Sequence, residues 1–156
     1  MNDLVVAQLT SKDAAALSRL LTADDHEYRQ YFTPFSTDIL SLENRLSSTR
    51  EDRYWGFWFG GMLTGFFMLR GLAESNRRPS FGVYIACAYS GKGLSTLALG
   101  YLMTWCRLNG INALMLKVHP DNKYARQTYE KAGFKFIELC SHSGHYVMEK
   151  RWDQGK

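Results

Sequence analysis

Two glycines separated by one lysine stand between a β-rich run and a long helical pattern. The segment reads IACAYSGKGLST and has Gly91, Lys92 and Gly93 at its centre. Backbone N–H groups at a helix N-terminus bind phosphate oxygens when no side chain obstructs them, and the helix dipole favours the negative charge. Lys92 adds a positive charge, and Ser95 and Thr96 add hydroxyl donors. A tight connection between a strand and a helix also uses such glycines, so the turn alone leaves both interpretations open.

A second pair of polar residues, Asn122 and Tyr129, is spaced seven residues apart in a short helical pattern. Seven residues make about two helical turns, so both side chains lie on one helix face and can reach one ligand. The amide of Asn122 offers a donor and an acceptor, and the phenol of Tyr129 can give a proton to a departing thiolate at neutral pH. Taken alone, the pair favours a structural explanation, with Asn122 as a helix N-cap and Tyr129 as a half-buried core ring.

Together the two segments resemble the GNAT superfamily of acyl-CoA-dependent N-acyltransferases. The family's turn, Q/R-x-x-G-x-G/A at the end of a strand, is similar to SGKGLS, which begins at Ser90. The family's later signature is an asparagine followed seven residues on by tyrosine and then by Gly-Phe, and it is similar to Asn122, Tyr129, Gly133 and Phe134. Ser90 departs from the pattern, because the family usually has glutamine or arginine at that position.

The resemblance is close over residues 81–134 and implies acetyl-CoA as cosubstrate. It implies that the strand before the turn offers backbone hydrogen bonds to the pantetheine arm and that the turn amides hold the pyrophosphate. These roles correspond to Ile85, Ala86 and Cys87 for the strand, to Gly91, Lys92, Gly93, Leu94, Ser95 and Thr96 for the turn, and to Asn122 beside the pantetheine. Tyr129 is implied as the acid that protonates the thiolate of coenzyme A.

Acetylation of an amine also needs a base, and the sequence leaves the base unassigned. Many relatives have a glutamate on the strand before the turn, whereas the stretch SFGVY that ends at Tyr84 has no carboxylate. The open candidates are His26, His119, a carboxylate among Asp24, Asp25 and Glu27, and a chain of water molecules to solvent.

The acceptor site of this superfamily usually forms from the N-terminal helical region and the loop before the last strand. Here these regions correspond to residues 24–35, which are acidic and then aromatic, and to the loop SHSGH at residues 141–145. Aromatic walls with a few carboxylates suit an amino sugar or another small amine, and they equally hold a peptide N-terminus. We therefore expect acceptor contacts from His26, Glu27, Tyr31, Phe32, Tyr84 and His119, with Tyr28 and Phe35 as further walls.

Hydrophobic periodicity and turn residues predict the elements that position these groups. Strands are expected at residues 4–9, 54–59, 62–70, 81–86, 113–118, 134–139 and 146–150, with a hairpin turn at Gly60-Gly61 and a polar loop at 71–80. Helices are expected at 11–23 with Ser11 as N-cap, at 39–49, at 94–108 ended by Gly110 and at 122–132, with an irregular or short helical segment stopped by Pro34 at 24–36. The long helix presents an apolar face made of Leu94, Leu97, Ala98, Tyr101, Leu102, Trp105 and Leu108. This order predicts an α/β (α+β) fold with a largely antiparallel central sheet flanked by helices.

Composition limits the class of protein. The chain has 156 residues, 46% hydrophobic and 22% charged, which predicts one globular domain over residues 1–156 and excludes disorder of the whole chain. A net charge of +4 without a basic stripe disfavours a nucleic-acid partner. The longest uncharged run is shorter than the ~20 residues of a membrane-spanning helix. Three cysteines without metal-ligand spacing predict reduced thiols in a cytoplasmic protein with no metal site.

The sequence as a whole predicts a cytoplasmic enzyme that transfers an acetyl group directly from acetyl-CoA to the primary amine of a small molecule, with an amino sugar among the candidates. Two alternatives stay open: acetylation of a protein N-terminus or lysine, and a noncatalytic acyl-CoA-binding regulatory module with the same fold. The expected partners are acetyl-CoA and the amine, without nucleic acid or membrane, and a homodimer remains open.

Overall fold

Seven strands and five α-helices follow one another in the residues that the computed structural model describes, namely 1–32, 35–73 and 78–152. The strands are β1 (Leu4–Gln8), β2 (Arg53–Phe59), β3 (Met62–Arg70), β4 (Ser80–Ile85), β5 (Ala113–Val118), β6 (Lys135–Leu139) and β7 (Tyr146–Arg151). The helices are α1 (Ala14–Ala23), α2 (His26–Arg29), α3 (Ile39–Ser47), α4 (Leu94–Leu108) and α5 (Lys123–Lys131), and 3-10 turns at Ser11–Asp13 and Cys87–Tyr89 precede α1 and follow β4. The predicted stop at Pro34 and residues 74–77 of the predicted loop lie outside the described residues.

One sheet contains all seven strands, in the order β1-β2-β3-β4-β5-β7-β6. Among these strands, β4 and β5 form the one parallel pair, and the other neighbours are antiparallel. β4 and β5 are paired at Ser80↔Met115 and Phe81↔Leu116 alone, although each strand has six residues. Their carboxyl ends therefore spread apart, and this opening positions the candidate site. The predicted fold class, a largely antiparallel sheet flanked by helices, is confirmed.

Each face of the sheet has its own apolar core, and different helices cover the two faces. α4 and α5 pack on the face that buries Phe67, Leu116 and Phe134. α1 and α3 pack on the other face, where Leu17 and Leu42 are fully buried. We call the first the α4 face and the second the α1 face. Within the described part of the chain, no helix is both long and apolar enough to cross a membrane.

The hairpin between β2 and β3 turns at Gly60-Gly61, as predicted. Both residues have positive φ, 59° and 81°, which glycine adopts without steric cost. The register of the hairpin shifts between Phe57 and Trp58. The hydroxyl of the buried Thr64 donates to the Phe57 carbonyl at 3.1 Å, so its polar group is satisfied inside the core.

The predicted apolar face of α4 is wrong in part. Leu97 and Leu108 are 45% and 82% exposed, whereas Leu99 and Cys106 are buried. Most of this helix is apolar, so more than one face satisfies the steps of three and four residues. Packing on the sheet selects the buried face, and the sequence pattern does not contain that information.

Two predicted capping residues are displaced by one position. Thr10, not Ser11, is the N-cap of the 3-10 turn that leads into α1, and its N–H donates to the carboxylate of Asp13 at 2.8 Å. α4 has Asn109 at its C-cap, and Gly110 follows with a φ of 72°. The residue types were therefore informative about where the helices end, but hydrogen-bond geometry decides which neighbour serves as the cap.

Gly100 lies within α4, where glycine is unfavourable. An added Cβ at this position meets no heavy atom within 4 Å. We therefore expect Gly100→Ala to raise the free energy of unfolding by about 0.5–1 kcal/mol, because alanine has the higher helix propensity. Urea denaturation followed by circular dichroism measures this change. A loss of stability would contradict this packing of α4.

Candidate functional site

A cleft of about 1110 Å³ opens where β4 and β5 diverge. Its wall brings together most of the residues that the sequence singled out, namely Tyr31, Phe32, Tyr84, Ile85, Gly91, Gly93, Leu94, Ser95, Thr96, His119, Asn122 and Tyr129. Five others do not contribute to the wall: His26, Glu27, Ala86, Cys87 and Lys92. His26 and Glu27 are exposed on α2 and lie outside this wall, and their role as acceptor contacts stays a prediction.

The backbone of β4 offers hydrogen-bonding groups to this cleft. Ala86 donates to the Thr64 carbonyl of β3 at 2.9 Å, and Met115 of β5 donates to the Pro79 carbonyl at 3.0 Å. Because backbone groups alternate in direction along a strand, those of Val83 and Ile85 point toward β5. β5 has already diverged at that level. Sequence reasoning missed Val83, because the point at which two strands separate is not encoded in a local pattern.

Two of the backbone groups that the resemblance assigned to pantetheine already have partners within the chain. The Tyr28 hydroxyl donates to the Ile85 carbonyl at 2.6 Å. The Cys87 N–H donates to the Asp24 carboxylate at 3.0 Å, and the Tyr84 hydroxyl donates to the same oxygen at 2.5 Å. The segment that carries α2 thus covers the carboxyl end of β4. This arrangement leaves the Ile85 N–H, rather than its carbonyl or the Cys87 N–H, facing the cleft.

The glycine turn leads directly into the N-terminus of α4. Gly91 and Gly93 have φ of 72° and 95°, and Gly93 is the N-cap without any side-chain cap. The Leu97 N–H makes a backbone hydrogen bond to the Gly93 carbonyl at 3.0 Å. The N–H groups of residues 94–96 precede it and have no intrahelical partner, as in any helix N-terminus. These residues line the cleft, so the turn forms a concave surface of backbone donors suited to an anion.

Ser90, which departs from the family pattern, has a structural role. Its hydroxyl donates to the Cys87 carbonyl at 2.7 Å and so closes the 3-10 turn that follows β4. Lys92 is exposed and is absent from the cleft wall. The anion-binding surface of the turn is therefore made of backbone groups, with Ser95 and Thr96 as the neighbouring hydroxyl side chains.

Tyr129 lies on α5 and lines the cleft. Its ring makes edge contact with Phe81 at 6.3 Å and packs beside Phe134 at 6.1 Å between ring centroids. Burial raises the pKa of Tyr129 to about 12, so the phenol keeps its proton throughout the neutral range. This placement combines the two sequence interpretations, because the ring packs against the core and also faces the cleft.

Asn122 is the N-cap of α5, as the structural interpretation of the sequence predicted. Its Oδ1 accepts a hydrogen bond from the Ala125 N–H at 3.3 Å. Asn122 also lines the cleft. Since the amide oxygen is used in capping, the amide NH₂ is the part of the side chain available to donate to a ligand.

The acidic candidates for the missing base are used elsewhere or lie apart from the cleft. The Asp24 carboxylate accepts hydrogen bonds from the Tyr84 hydroxyl and the Cys87 N–H. Asp25 caps α2 by accepting the Tyr28 N–H at 2.9 Å. Within the described ranges, no three His, Cys, Asp or Glu side chains lie together in an arrangement that holds a metal ion.

Two histidines meet in the cleft wall. The ring of His119 lies 4.7 Å from that of Tyr31 and 5.3 Å from that of His145, measured between centroids. His119 Nδ1 accepts the Asp121 N–H at 3.1 Å, so the neutral ring carries its proton on Nε2. His145 comes from the loop that the sequence assigned to the acceptor site, but no residue pattern distinguished it from His142 in the same loop.

Solved structures share this fold over nearly the whole chain. The PaiA N-acetyltransferase from Thermoplasma acidophilum in complex with coenzyme A has a TM-score of 0.79 at 19% identity, covering 96% of this chain and 99% of that one. A ribosomal-protein-S5-alanine acetyltransferase from Vibrio fischeri has a TM-score of 0.81 at 15% identity, covering 98% and 95%. RimJ from Mycobacterium smegmatis, in complex with CoA-disulfide, has a TM-score of 0.79 at 19% identity, covering 95% and 81%. At these identities the likeness shows the fold.

The family is shown by the sequence itself. A family model described as an acetyltransferase (GNAT) domain matches residues 3–135, which include the glycine turn, Asn122 and Tyr129. The search of curated proteins gave no match. The match extends over most of the chain. The chain therefore belongs to the GNAT acetyltransferase family.

Proposed function

We propose that this chain is an acetyl-CoA-dependent N-acetyltransferase that transfers the acetyl group directly to a primary amine. One observation carries the proposal: within the described residues, the cleft joins a helix N-terminus without a side-chain cap, a strand edge that β5 leaves unpaired and a protonated phenol. Each of these groups matches one part of an acyl-CoA, namely the pyrophosphate, the pantetheine amides and the thioester sulfur. An anion-binding turn alone would not require the other two.

Groups of this chain would bind acetyl-CoA at its pyrophosphate and along the pantetheine arm to the thioester. The N–H groups of residues 94–96 would hold the pyrophosphate, where their donors have no helical partner. The Ile85 N–H, nearer the turn, would pair with a pantetheine amide as a strand partner does. The Val83 N–H would donate to the carbonyl oxygen of the thioester, where negative charge develops during transfer. The NH₂ of Asn122 would donate to the pantetheine from the opposite wall.

Tyr129 would give its proton to the departing thiolate. Burial raises the pKa of Tyr129 to about 12, so the phenol carries its proton at neutral pH. A protonated group in the cleft can act as a general acid as the C–S bond breaks.

The proposed acceptor is a small molecule whose amine lies among the rings of Tyr28, Tyr31, Phe32 and Tyr84. Phe32 and Tyr84 pack at 5.2 Å between ring centroids, and Tyr28 and Tyr84 make an edge contact at 6.0 Å. Such walls suit a sugar ring or another compact amine.

A protein N-terminus is the second candidate, and the length of the cleft favours it. The cleft continues past Ser80 to Asp52 and Arg78 at the amino end of β4. Five residue steps of strand span about 16 Å, enough for several residues of an extended peptide. The S5-alanine acetyltransferase among the structural neighbours acts, by its name, on a protein substrate.

A screen of amines with acetyl-CoA tests the function, with release of free thiol as the readout. The panel contains glucosamine, spermidine, short peptides with a free α-amine and Nα-acetyl-lysine. We expect rapid thiol release with one class of amine, which identifies the acceptor class directly. Calorimetric binding of coenzyme A without thiol release for any amine would contradict the enzyme and support the noncatalytic acyl-CoA-binding module.

A further inference from the structure

The loop between β6 and β7 holds His145 in a defined place at the cleft. The Cys140 N–H donates to the His145 carbonyl at 2.8 Å, and the Gly144 N–H donates to the Cys140 carbonyl at 2.8 Å. The His145 N–H also donates to the Ser143 hydroxyl at 3.3 Å. These bonds close the loop on itself immediately before β7. His145 lines the cleft, whereas His142 of the same loop is exposed and does not.

The neighbours of His145 keep its ring neutral. The His145 ring makes edge contact with the His119 ring, and Lys117 of β5 affects the pKa of His145 electrostatically. Burial first, and then the electrostatic effects of His119 and Lys117, lower the pKa of His145 below its ordinary value of 6.5. Other titratable groups nearby are Tyr31, which packs on His119, and Cys140 of the same loop. At neutral pH the ring of His145 is therefore free to accept a proton.

The other proton acceptors in the cleft wall are less well placed. Asp52 lies at the amino end of β4 and is bound to the Gly71 N–H at 3.1 Å and to Arg70 at 3.8 Å. Glu51 lies at the same end, about 16 Å from the carboxyl end of β4 by strand length. His119 already uses the lone pair of Nδ1 to accept the Asp121 N–H.

From this elimination and from its position we infer that His145 is the general base for the acceptor amine, an assignment that rests on the proposed function. His145 takes one proton from the ammonium group, and the freed nitrogen lone pair forms the C–N bond as the C–S bond breaks. The thiolate takes the proton of Tyr129, and the second proton of the amine nitrogen returns to the Tyr129 phenolate through solvent. One proton per turnover then leaves from His145 to solvent, so charge and atoms balance.

The test compares His145→Gln with His142→Gln, using the amine that reacts in the screen. We expect His145→Gln to lower kcat/KM at pH 7 by about 100-fold, as loss of a general base does, while the dissociation constant for coenzyme A stays unchanged. The wild-type profile of kcat/KM against pH falls as His145 becomes protonated below pH 6.5, and this limb disappears in the variant. His142→Gln is expected to behave as the wild type.

Two further measurements separate a base from a structural residue. Millimolar imidazole is expected to restore part of the activity of His145→Ala, and an NMR titration of the wild-type protein is expected to place the pKa of His145 below 6.5. Wild-type kinetics in His145→Gln, or a His145 that is still protonated at pH 7 in the NMR titration, overturns this inference and leaves the proposed function intact. If the wild-type protein acetylates none of the amines, the proposed function fails and this inference fails with it.

Discussion

Replacing Tyr129 by phenylalanine is expected to lower kcat at least about tenfold, as loss of a general acid does, while the affinity for coenzyme A stays unchanged. The change removes one hydroxyl and keeps the ring that packs against Phe81 and Phe134. Because the pKa of Tyr129 is raised to about 12, the wild-type phenol stays protonated over the whole working range. No alkaline loss of activity from this group is therefore expected below about pH 11, one unit under its pKa.

Tyr124→Phe is the matched control for this experiment. Tyr124 lies on the same helix and also lines the cleft, but it is 71% exposed. Stopped-flow or steady-state thiol release gives kcat, and calorimetry gives the affinity for coenzyme A. A kcat for Tyr129→Phe equal to that of the wild type would exclude Tyr129 from the chemical mechanism.

Replacing Gly93 by valine is expected to weaken binding of coenzyme A by about tenfold or more, which corresponds to about 1.4 kcal/mol. Gly93 has a φ of 95°, which a β-branched residue adopts only with strain of about 1–3 kcal/mol. An added Cβ meets no heavy atom within 4 Å beyond those of the adjoining residues, so it would project into open space beside the turn. The variant therefore disturbs both the donors of the turn and the room for a phosphate.

Calorimetry with coenzyme A and urea denaturation must be read together for this variant. Strain at the helix start also lowers the free energy of unfolding, and Gly100→Ala provides the comparison, since it changes α4 outside the cleft. Normal affinity for coenzyme A in folded Gly93→Val would contradict the assignment of the turn as the pyrophosphate site.

The helix faces show how far local patterns extend. The steps of three and four residues placed α4 correctly, but they did not decide between Leu97 and Leu99 as core residues. Burial depends on how the helix rotates against a sheet assembled from strands far apart in the chain. Because most residues of α4 are apolar, its faces differ too little in hydrophobicity to specify that rotation.

In the candidate site, too, local sequence patterns predicted one part and left another part undecided. The sequence indicated the turn at Gly91 and Gly93 and the pair Asn122 and Tyr129, because positive φ and the helical repeat are local properties. The pairing of the Ile85 carbonyl with Tyr28 joins residues 57 positions apart, and no local pattern could reveal it. For this reason the sequence overstated how much of the strand end is available to a ligand.

By itself, the sequence determined the succession of strands and helices, the turn suited to an anion, the spacing of Asn122 and Tyr129, and membership of the GNAT family. The tertiary structure alone decided where β4 and β5 separate, which backbone groups of β4 remain without a partner, and that His145 rather than His142 reaches the cleft. The physical reason is that backbone conformation depends mainly on neighbouring residues. The opening of a sheet and the burial of a histidine depend on contacts between segments that only the folded chain brings together.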